Sequence, residues 1–407
     1  MRRRPLGMGR SGAQNWSQMS LPAPSVLRLT CVFGIASFSG ALAIRALDPA
    51  AAELGREFSV SAERIALLST AFSLPFALIQ PVLGPVADAT GKRRMVAIAL
   101  LVLAGMLTFC ALAPTLGWLT VARILAGAAA GGVMPVTIAI IGDAVPMAQR
   151  QVAISRLLVF AIIGQIAGGA LAGILMESIG WRGVLLGCAG VALAGGVFVL
   201  NEAWRGGMQE ARGRFDVVVA LQRYRGIIGN PAARFLYAMV AIEGGLVYGV
   251  FPYVAPLLLD KGLGGVREAG FTIGAFGVGG IIFAIIAPPI LRRVGQGRMV
   301  MLGGALSLLG LGAFGSAPNL EVAIGAMLVL GLGFFMIHNS IQTRVSEVAP
   351  QSRASAVSLH AFSFFSGQSL GPIIYGLALG GLGAPVTMVL AGLGLVAVSI
   401  AIGRRPG

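Results

Sequence analysis

The sequence predicts an all-α membrane protein with twelve transmembrane helices, arranged as two pseudo-symmetric six-helix bundles. Three observations predict this fold: the composition, the length of the apolar blocks, and an internal repeat. Of the 407 residues, 57% are hydrophobic and only 11% are charged, whereas a soluble domain carries about 25% charged residues. With 60 glycines, close approach between helices in lipid is expected.

The apolar residues fall into blocks of about twenty, the length that a helix needs to cross roughly 30 Å of hydrocarbon. The predicted spans, numbered 1 to 12, cover residues 26–50, 63–87, 94–113, 117–142, 153–176, 183–201, 233–258, 268–291, 298–316, 320–342, 354–379 and 383–403. Ala41-Leu42-Ala43 resembles a signal-peptide cleavage site, but the polar leader before it is long and eleven further blocks follow, so an uncleaved first span is predicted.

Most connections between the spans are short, and the exception lies at the centre of the chain. This segment is polar and basic, and its pattern around Tyr224 fits an amphipathic helix at the membrane surface. The predicted organisation is a cytoplasmic tail (1–25), an N-terminal bundle (26–201), a cytoplasmic linker (202–232), a C-terminal bundle (233–403) and a cytoplasmic tail (404–407).

The formal charge of +15 is a topology signal. Most of the Lys and Arg residues fall in alternate loops, which become cytoplasmic if the N-terminus is inside. Both termini are therefore expected in the cytoplasm, in a multi-pass protein of the cell inner or plasma membrane. Because the positive charge is explained by topology, nucleic-acid binding is not expected.

Several classes of function are disfavoured by what the sequence does not contain. Cys31, Cys110 and Cys188 all lie inside apolar blocks, without metal-ligand or disulfide spacing. No phosphate-cradling loop is present, so ATP is not expected as the direct energy source. No catalytic constellation is visible either. We expect a chain that is not an enzyme, has no cofactor or metal, and works as a monomer.

The internal repeat is the most specific observation. Gly91-Lys92-Arg93-Arg94-Met95-Val96 reappears as Gly295-Gln296-Gly297-Arg298-Met299-Val300, displaced by 204 positions, and Ala113-Pro114 recurs as Ala317-Pro318. Gly164-Gln165 matches Gly367-Gln368 at a displacement of 203. The second half therefore repeats the first in parallel, as in transporters built from two six-span halves.

The loop between spans 2 and 3 reads Gly84-Pro85-Val86-Ala87-Asp88-Ala89-Thr90-Gly91-Lys92-Arg93-Arg94. It resembles the signature loop of the major facilitator superfamily. The resemblance implies a cytoplasmic gate in which Asp88, the Arg93–Arg94 pair and Asp143 form a charge network, with Gly91 at the turn. An ordinary basic loop is the alternative. In the second copy Pro288 replaces Gly84 and Arg292 replaces Asp88, so that copy is degenerate.

Two further stretches resemble motifs of the same superfamily. Arg123, followed by Gly127, resembles the span-4 motif that antiporters use in proton transfer. Span 5 resembles the glycine ladder of drug:proton antiporters, although Gly169 stands where that motif has proline and Gly371-Pro372 appears in span 11 instead. Close helix packing is the alternative explanation for both ladders. Their residues are Gly164, Gly168, Gly169 and Gly173 in span 5, and Gly367, Gly371, Pro372 and Gly376 in span 11.

Charged residues inside spans are costly, by about 2.5–3.5 kcal/mol on insertion scales, and therefore need a reason. Arg45 and Asp48 lie three residues apart in span 1, Arg123 lies in span 4, and Glu243 lies in span 7. We expect Asp48 to be the main proton carrier with Arg123 as its partner, and Glu243 to be the alternative carrier. A permanent Arg45–Asp48 pair is the competing interpretation.

Polar residues in other spans are candidates for lining a substrate site. They are Gln80, His338, Asn339, His360 and Gln368. The two histidines are expected mainly to hydrogen-bond between helices. Tyr248, Phe251 and Tyr253, near the end of span 7, are expected to form an interfacial aromatic belt.

The resemblance and these residues together imply a secondary active transporter whose partners are a small molecule, protons and the lipid bilayer. Proton-coupled efflux of a drug-like or amphipathic molecule by alternating access is the preferred expectation. Transport of a sugar or organic anion, with Arg45 and Arg123 binding the carboxylate, is the alternative. The alternative from another class of function is a membrane-embedded transferase, or a transceptor that senses its ligand without transporting it. This alternative is disfavoured.

Overall fold

A computed structural model describes residues 26–145, 147–205, 217–349 and 353–404, and helices account for nearly all of them. The α-helices are α1 (Val26–Leu42), α2 (Ala51–Glu57), α3 (Ala62–Thr90), α4 (Lys92–Ala111), α5 (Leu116–Gly131), α6 (Val133–Ala144), α7 (Met147–Arg205), α8 (Val217–Gly229), α9 (Pro231–Tyr248), α10 (Val254–Asp260), α11 (Val266–Gly315), α12 (Leu320–Val348) and α13 (Arg353–Gly403).

Twelve membrane crossings follow from these helices. Helices α7, α11 and α13 each contain two spans, separated by a break at Gly180, Gly295 and Gly383 with φ of 67°, 76° and 73°. Apolar stretches long enough to cross a bilayer cover most of the described chain, and the shorter α1 adds the first crossing. The predicted twelve-helix architecture is confirmed.

The sequence repeat is also a repeat of backbone conformation. Gly91 and Gly295, 204 positions apart, both have positive φ at the turn between two spans, and so do Gly180 and Gly383, 203 apart. Only glycine adopts this conformation readily. In addition, span 1 is interrupted by a 3₁₀ helix at Asp48–Ala50, and span 7 by another at Phe251–Tyr253. The two halves therefore share their turns and their helix breaks.

Each half has its own apolar core. One cluster of buried side chains draws on residues between Leu29 and Val199. The other draws on residues between Ile227 and Ile402, together with Ala66. Helix α8 lies between the two halves in sequence and donates a hydrogen bond from the Tyr224 hydroxyl to the carbonyl oxygen of Pro81, 3.2 Å away. The predicted tail 1–25 and most of the first half of the linker lie outside the described residues.

The glycine ladders bring helices into backbone contact. A Cβ added at Gly164 would lie 2.5 Å from the Phe38 carbonyl oxygen of span 1, and one added at Gly168 would lie 2.0 Å from that of Leu42. In the second half, a Cβ at Gly367 would lie 1.8 Å from the Ala241 carbonyl oxygen of span 7. Gly173 instead meets Gly270 of span 8, so that this contact joins the two halves. The ladders therefore have a packing role within each half and between the halves.

Replacing Gly367 with alanine is expected to lower the melting temperature of the purified protein by several degrees. The added methyl group would overlap backbone, which cannot rotate away as a side chain can, and overpacking of this kind costs about 1–3 kcal/mol. The measurement is thermal unfolding in detergent. Gly187→Ala is the matched control because nothing lies within 4 Å of a Cβ at that helical position. Equal melting temperatures for the two variants would contradict the packing role.

Candidate functional site

The break in span 1 holds a buried ion pair. Helix α1 ends at Leu42, and the chain turns before the 3₁₀ helix begins at Asp48. Arg45 Nη1 lies 3.1 Å from Asp48 Oδ2, and both side chains are almost completely buried. Asp48 Oδ1 accepts a further hydrogen bond from Ser69 of span 2. Both carboxylate oxygens of Asp48 are therefore bonded inside the first half.

Arg45 also reaches across to the second half. Its Nη2 donates to Gln368 Oε1 of span 11, and its guanidinium carbon lies 4.5 Å from the ring centroid of Tyr248 and 5.4 Å from that of Phe251. Thr70 adds a second bridge between the halves by donating to the Ser369 carbonyl oxygen at 2.6 Å. Arg45 therefore serves two roles, as a counter-ion for Asp48 and as a link between the halves.

Arg123 has a different environment from the one predicted. Its Nη1 and Nη2 donate to the carbonyl oxygens of Ala43 and Ile44, at 3.0 and 3.3 Å, and its guanidinium carbon lies 4.2 Å from the Phe72 ring centroid. These carbonyls are left open because α1 has ended and no next turn bonds to them. Among the described residues the direct ion pair is therefore Arg45–Asp48, and Arg123 stabilises the helix end. The predicted partnership of Asp48 and Arg123 in proton transfer stays a prediction.

Glu243 forms the second buried acidic site, in span 7. Its Oε2 lies 2.9 Å from Nδ1 of His338 in span 10, so carboxyl and imidazole are within hydrogen-bonding distance. The Glu243 side chain is fully buried, whereas 13% of the His338 side chain is exposed. Among the described residues, Glu243 Oε1 has no hydrogen-bond partner. His338 is therefore the member of the pair that is open to its surroundings.

Aromatic rings surround the Glu243–His338 pair. Phe334 and Phe364 lie 5.0 and 4.6 Å from the His338 ring, centroid to centroid, and the His360 ring lies 5.3 Å away. Tyr248 packs edge-on against Phe334 and Phe364, and connects this cluster to Arg45. The expected interfacial belt is wrong, because Tyr248, Phe251 and Tyr253 are buried, as part of the core of the second half.

A cavity of about 110 Å³ lies between the two halves, next to His338. Its wall is formed by Ser37, Gly40, Ala41, Ile44, Phe76, Gln80, Ala130, Val133, Met134, Ala161, Ile162, Gln165, His338, Gln342, His360, Ala361, Phe364 and Phe365. Several of these, including Met134, Gln165 and Gln342, are only half-buried. The residues of the whole wall come from spans 1, 2, 4 and 5 of the first half and from spans 10 and 11 of the second.

The candidate lining residues divide into three groups. Gln80, His338 and His360 line the cavity. Gln368 is buried away from it, where it accepts from Arg45. Asn339 is exposed and lies outside this lining, because it follows His338 on the helix and points about 100° away from it.

Sequence reasoning did not single out Gln165 and Gln342 as lining residues. Gln165 is the repeat equivalent of Gln368, a residue that was selected, so the internal repeat was a usable signal. Gln342 lies four positions after His338, on the same face of α12. A search for polar residues one turn from each candidate would have found it.

The gate motif occupies the turn between α3 and α4. Gly91 has φ of 99°, and Lys92 Nζ lies 2.5 Å from Asp143 Oδ2 at the end of span 4. Arg93 and Arg94 lie in the first turn of α4. The side chains at positions 84 and 88 are outside those that the structure describes. The predicted participation of Asp88 therefore stays a prediction.

Comparisons with known proteins agree with this architecture. The family model of the Major Facilitator Superfamily matches residues 33–372. A gallate transporter of Pseudomonas putida is 28% identical, over 78% of this chain and 78% of its own. A putative multidrug resistance protein MdtD of Klebsiella pneumoniae is 24% identical, over 77% of this chain and 78% of its own.

Solved structures show the same fold. The nucleoside transporter NupG (D323A mutant) superposes with a TM-score of 0.72 at 16% identity, over 92% of this chain and 98% of its own. A bacterial homolog of the human lysosomal transporter Spinster, in an inward-facing and unoccupied conformation, gives a TM-score of 0.66 at 18% identity, over 93% of each chain. With the family model matching most of its length, the chain belongs to the Major Facilitator Superfamily of membrane transporters.

Proposed function

We propose that this transporter is proton-coupled and moves a small organic molecule by alternating access, with Glu243 and His338 as its proton site. Export of a drug-like or amphipathic molecule is the preferred direction and substrate type, in keeping with the relatives named multidrug resistance proteins. The distribution of Lys and Arg supports cytoplasmic termini in the inner or plasma membrane. The driving force is adequate, since 100 mV supplies about 2.3 kcal/mol per charge moved.

The observation that carries this proposal is the Glu243–His338 contact at the wall of the cavity. The carboxyl group is fully buried, and one of its oxygens is bonded only to an imidazole that the cavity reaches. Glu243 Oε1 has no partner among the described residues, so a proton added there changes the charge of the pair without displacing another hydrogen bond of the carboxyl group. A proton arriving through the cavity meets His338 first, and the imidazole can pass it to Glu243, because histidine both accepts and donates protons.

Asp48 is less suited to carrying a proton, although the sequence favoured it. Arg45 and Ser69 bond both of its oxygens, and the Arg45–Asp48 pair does not line the cavity. Neutralising Asp48 would leave the buried Arg45 without its counter-ion, which costs about 3–5 kcal/mol. We therefore assign the Arg45–Asp48 pair to structure and to the contact between the halves.

The contacts between the halves support a state that opens toward the face where α1 begins and α13 ends. Arg45–Gln368, Thr70–Ser369 and Gly173–Gly270 join the halves on the opposite side of the cavity. In alternating access these contacts have to separate when the other face opens. We call the Arg45–Gln368 hydrogen bond the outer latch.

Transport of an organic anion is the second candidate, supported by the relative named a gallate transporter. Arg45 and Arg123 are not available to bind the carboxylate of such a substrate, because both form hydrogen bonds away from the cavity. A protonated His338 or His360 would have to supply the positive charge for a carboxylate. Loss of gallate transport in His360→Gln, with other substrates unaffected, would support this candidate.

Glu243→Gln is expected to lower pH-driven flux by at least about tenfold, and to leave substrate exchange intact when the pH is equal on both sides of the membrane. Glutamine keeps the shape and hydrogen bonding of the side chain but cannot carry the proton. The measurement uses proteoliposomes containing a pH-sensitive dye, with ethidium, gallate and the neutral 3,4-dihydroxybenzamide as the first solutes tested.

Asp48→Asn is the matched control, since it also neutralises one buried carboxylate. Its melting temperature should fall, while the folded fraction should still couple solute movement to pH. If Asp48→Asn removed pH-driven flux and Glu243→Gln retained it, the assignment of the proton site would be reversed.

Gln368→Leu is expected to increase the population with an open outer face by about tenfold or more. The variant removes a hydrogen bond to a charged group, worth about 1.5–3 kcal/mol, that exists only when that face is closed. Spin labels on Arg56→Cys and Asp260→Cys, in a background without the three native cysteines, report the separation of the two halves there.

Gln222→Leu serves as the control for the outer latch, because it removes a glutamine side chain that is exposed on the surface of α8. Its distance distribution should match that of the parent protein. An unchanged distribution in Gln368→Leu would show that the Arg45–Gln368 bond does not hold the outer face closed.

A further inference from the structure

The cavity wall has no fixed charge. Its described lining contains no Asp, Glu, Lys or Arg side chain. Glu243 lies behind His338 and is fully buried, and Arg45 and Arg123 are bonded elsewhere. An ion that left water for this cavity would lose its hydration and gain no fixed counter-charge. The wall therefore favours a molecule that is uncharged when bound.

The polar groups of the wall are nevertheless short of hydrogen bonds. Gln80 Nε2, Gln165 Nε2 and His360 Nε2 have no partner within the described part of the chain. Gln80 is only 2% exposed and His360 only 4% exposed, so bulk water does not readily satisfy them. Buried amide groups normally find partners. A ligand that carries several oxygen acceptors or hydroxyl groups would satisfy these three groups if their side chains rotate toward the cavity.

Aromatic rings supply the remaining recognition surface. Phe76 of the first half and Phe365 of the second lie 4.3 Å apart, centroid to centroid, and Phe364 lies 5.3 Å from Phe365. Rings at such distances offer faces and edges to a further flat ring. The cavity measures about 110 Å³, less than the apolar cavity of about 150 Å³ that holds benzene, so a substituted ring fits only if part of it extends toward the half-buried residues Met134, Gln165 and Gln342.

We infer that the transported substrate is a small, planar aromatic molecule that carries hydroxyl or carbonyl groups and is uncharged when bound. Its ring packs against Phe76, Phe364 and Phe365, and its oxygens bond to the amides of Gln80 and Gln165 and to His360. The inference rests on the proposed function, because it takes this cavity as the site of the transported molecule. The two amides come from the first half and His360 from the second, so both halves hold the ligand.

The test compares three probes that share one ring and differ in charge: 3,4-dihydroxybenzamide (neutral), 3,4-dihydroxybenzoate (anionic) and 3,4-dihydroxybenzylammonium (cationic). Binding to the purified full chain in detergent at pH 7 is measured by calorimetry. The neutral amide should bind at least about tenfold more tightly than either ion, and Gln80→Leu should weaken its binding about tenfold, because a site built for hydrogen bonding discriminates strongly.

Gln222→Leu, on the exposed surface of α8, is the matched control and should leave binding unchanged. A melting curve for each variant shows that the protein is folded. Tighter binding of the benzoate would overturn the inference in favour of an anion site, and tighter binding of the ammonium would overturn it in favour of a cation site. Undetectable binding of all three, or an unaltered affinity in Gln80→Leu, would overturn it as well.

The outcome is separable from that of the proposed function. Equilibrium binding in detergent involves no proton gradient, so neutral-probe binding with no pH-driven flux would contradict only the proton coupling. Flux that depends on Glu243, with none of the three probes bound, would contradict only the substrate class.

Discussion

The cost of placing charge in a bilayer is the constraint on which this structure depends. Arg45, Asp48, Arg123 and Glu243 are all buried inside spans, and an unpaired charge there is costly by several kcal/mol. Each is held differently: Arg45 and Asp48 by one another, Arg123 by backbone carbonyls, and Glu243 by His338. The three arrangements differ in how easily the charge of the group can change, and the proposed function rests on that difference.

The broken helices explain how two of these solutions arise. A regular helix bonds all of its own carbonyls, so an arginine near it has no backbone acceptor to bind. In span 1 the helix ends at Leu42, and the freed carbonyls of Ala43 and Ile44 become acceptors for Arg123. The same break allows Arg45 to turn toward Tyr248 and Gln368 of the other half. The charge network and the helix break therefore stabilise each other, and both lie where the halves meet.

The fold was largely predictable, because the length of apolar blocks and the repeat are local properties of the sequence. Gly91 and its equivalent Gly295 even mark turns correctly. The pairing of charges was not predictable to the same degree. Three-residue spacing suggested Arg45–Asp48, but choosing between this pair and Asp48–Arg123 required knowing where α1 ends. The aromatic residues of span 7 were misjudged for a related reason: a second 3₁₀ break at Phe251–Tyr253 turns that end of the span inward.

In the proposed mechanism, the arrangement of the second half separates substrate binding from proton binding while keeping the two sites adjacent. Glu243 is hidden from the cavity, and His338 and Phe364 form part of the wall in front of it. In the proposed mechanism, a change in the protonation of the pair alters the hydrogen bonding of His338 at the cavity wall, without placing a carboxylate in the cavity. An exposed glutamate would bind cations directly and make affinity depend mainly on ligand charge. With the carboxylate behind the imidazole, the proposed competition between proton and substrate acts through His338, and the cavity wall carries no Asp, Glu, Lys or Arg side chain among its described residues.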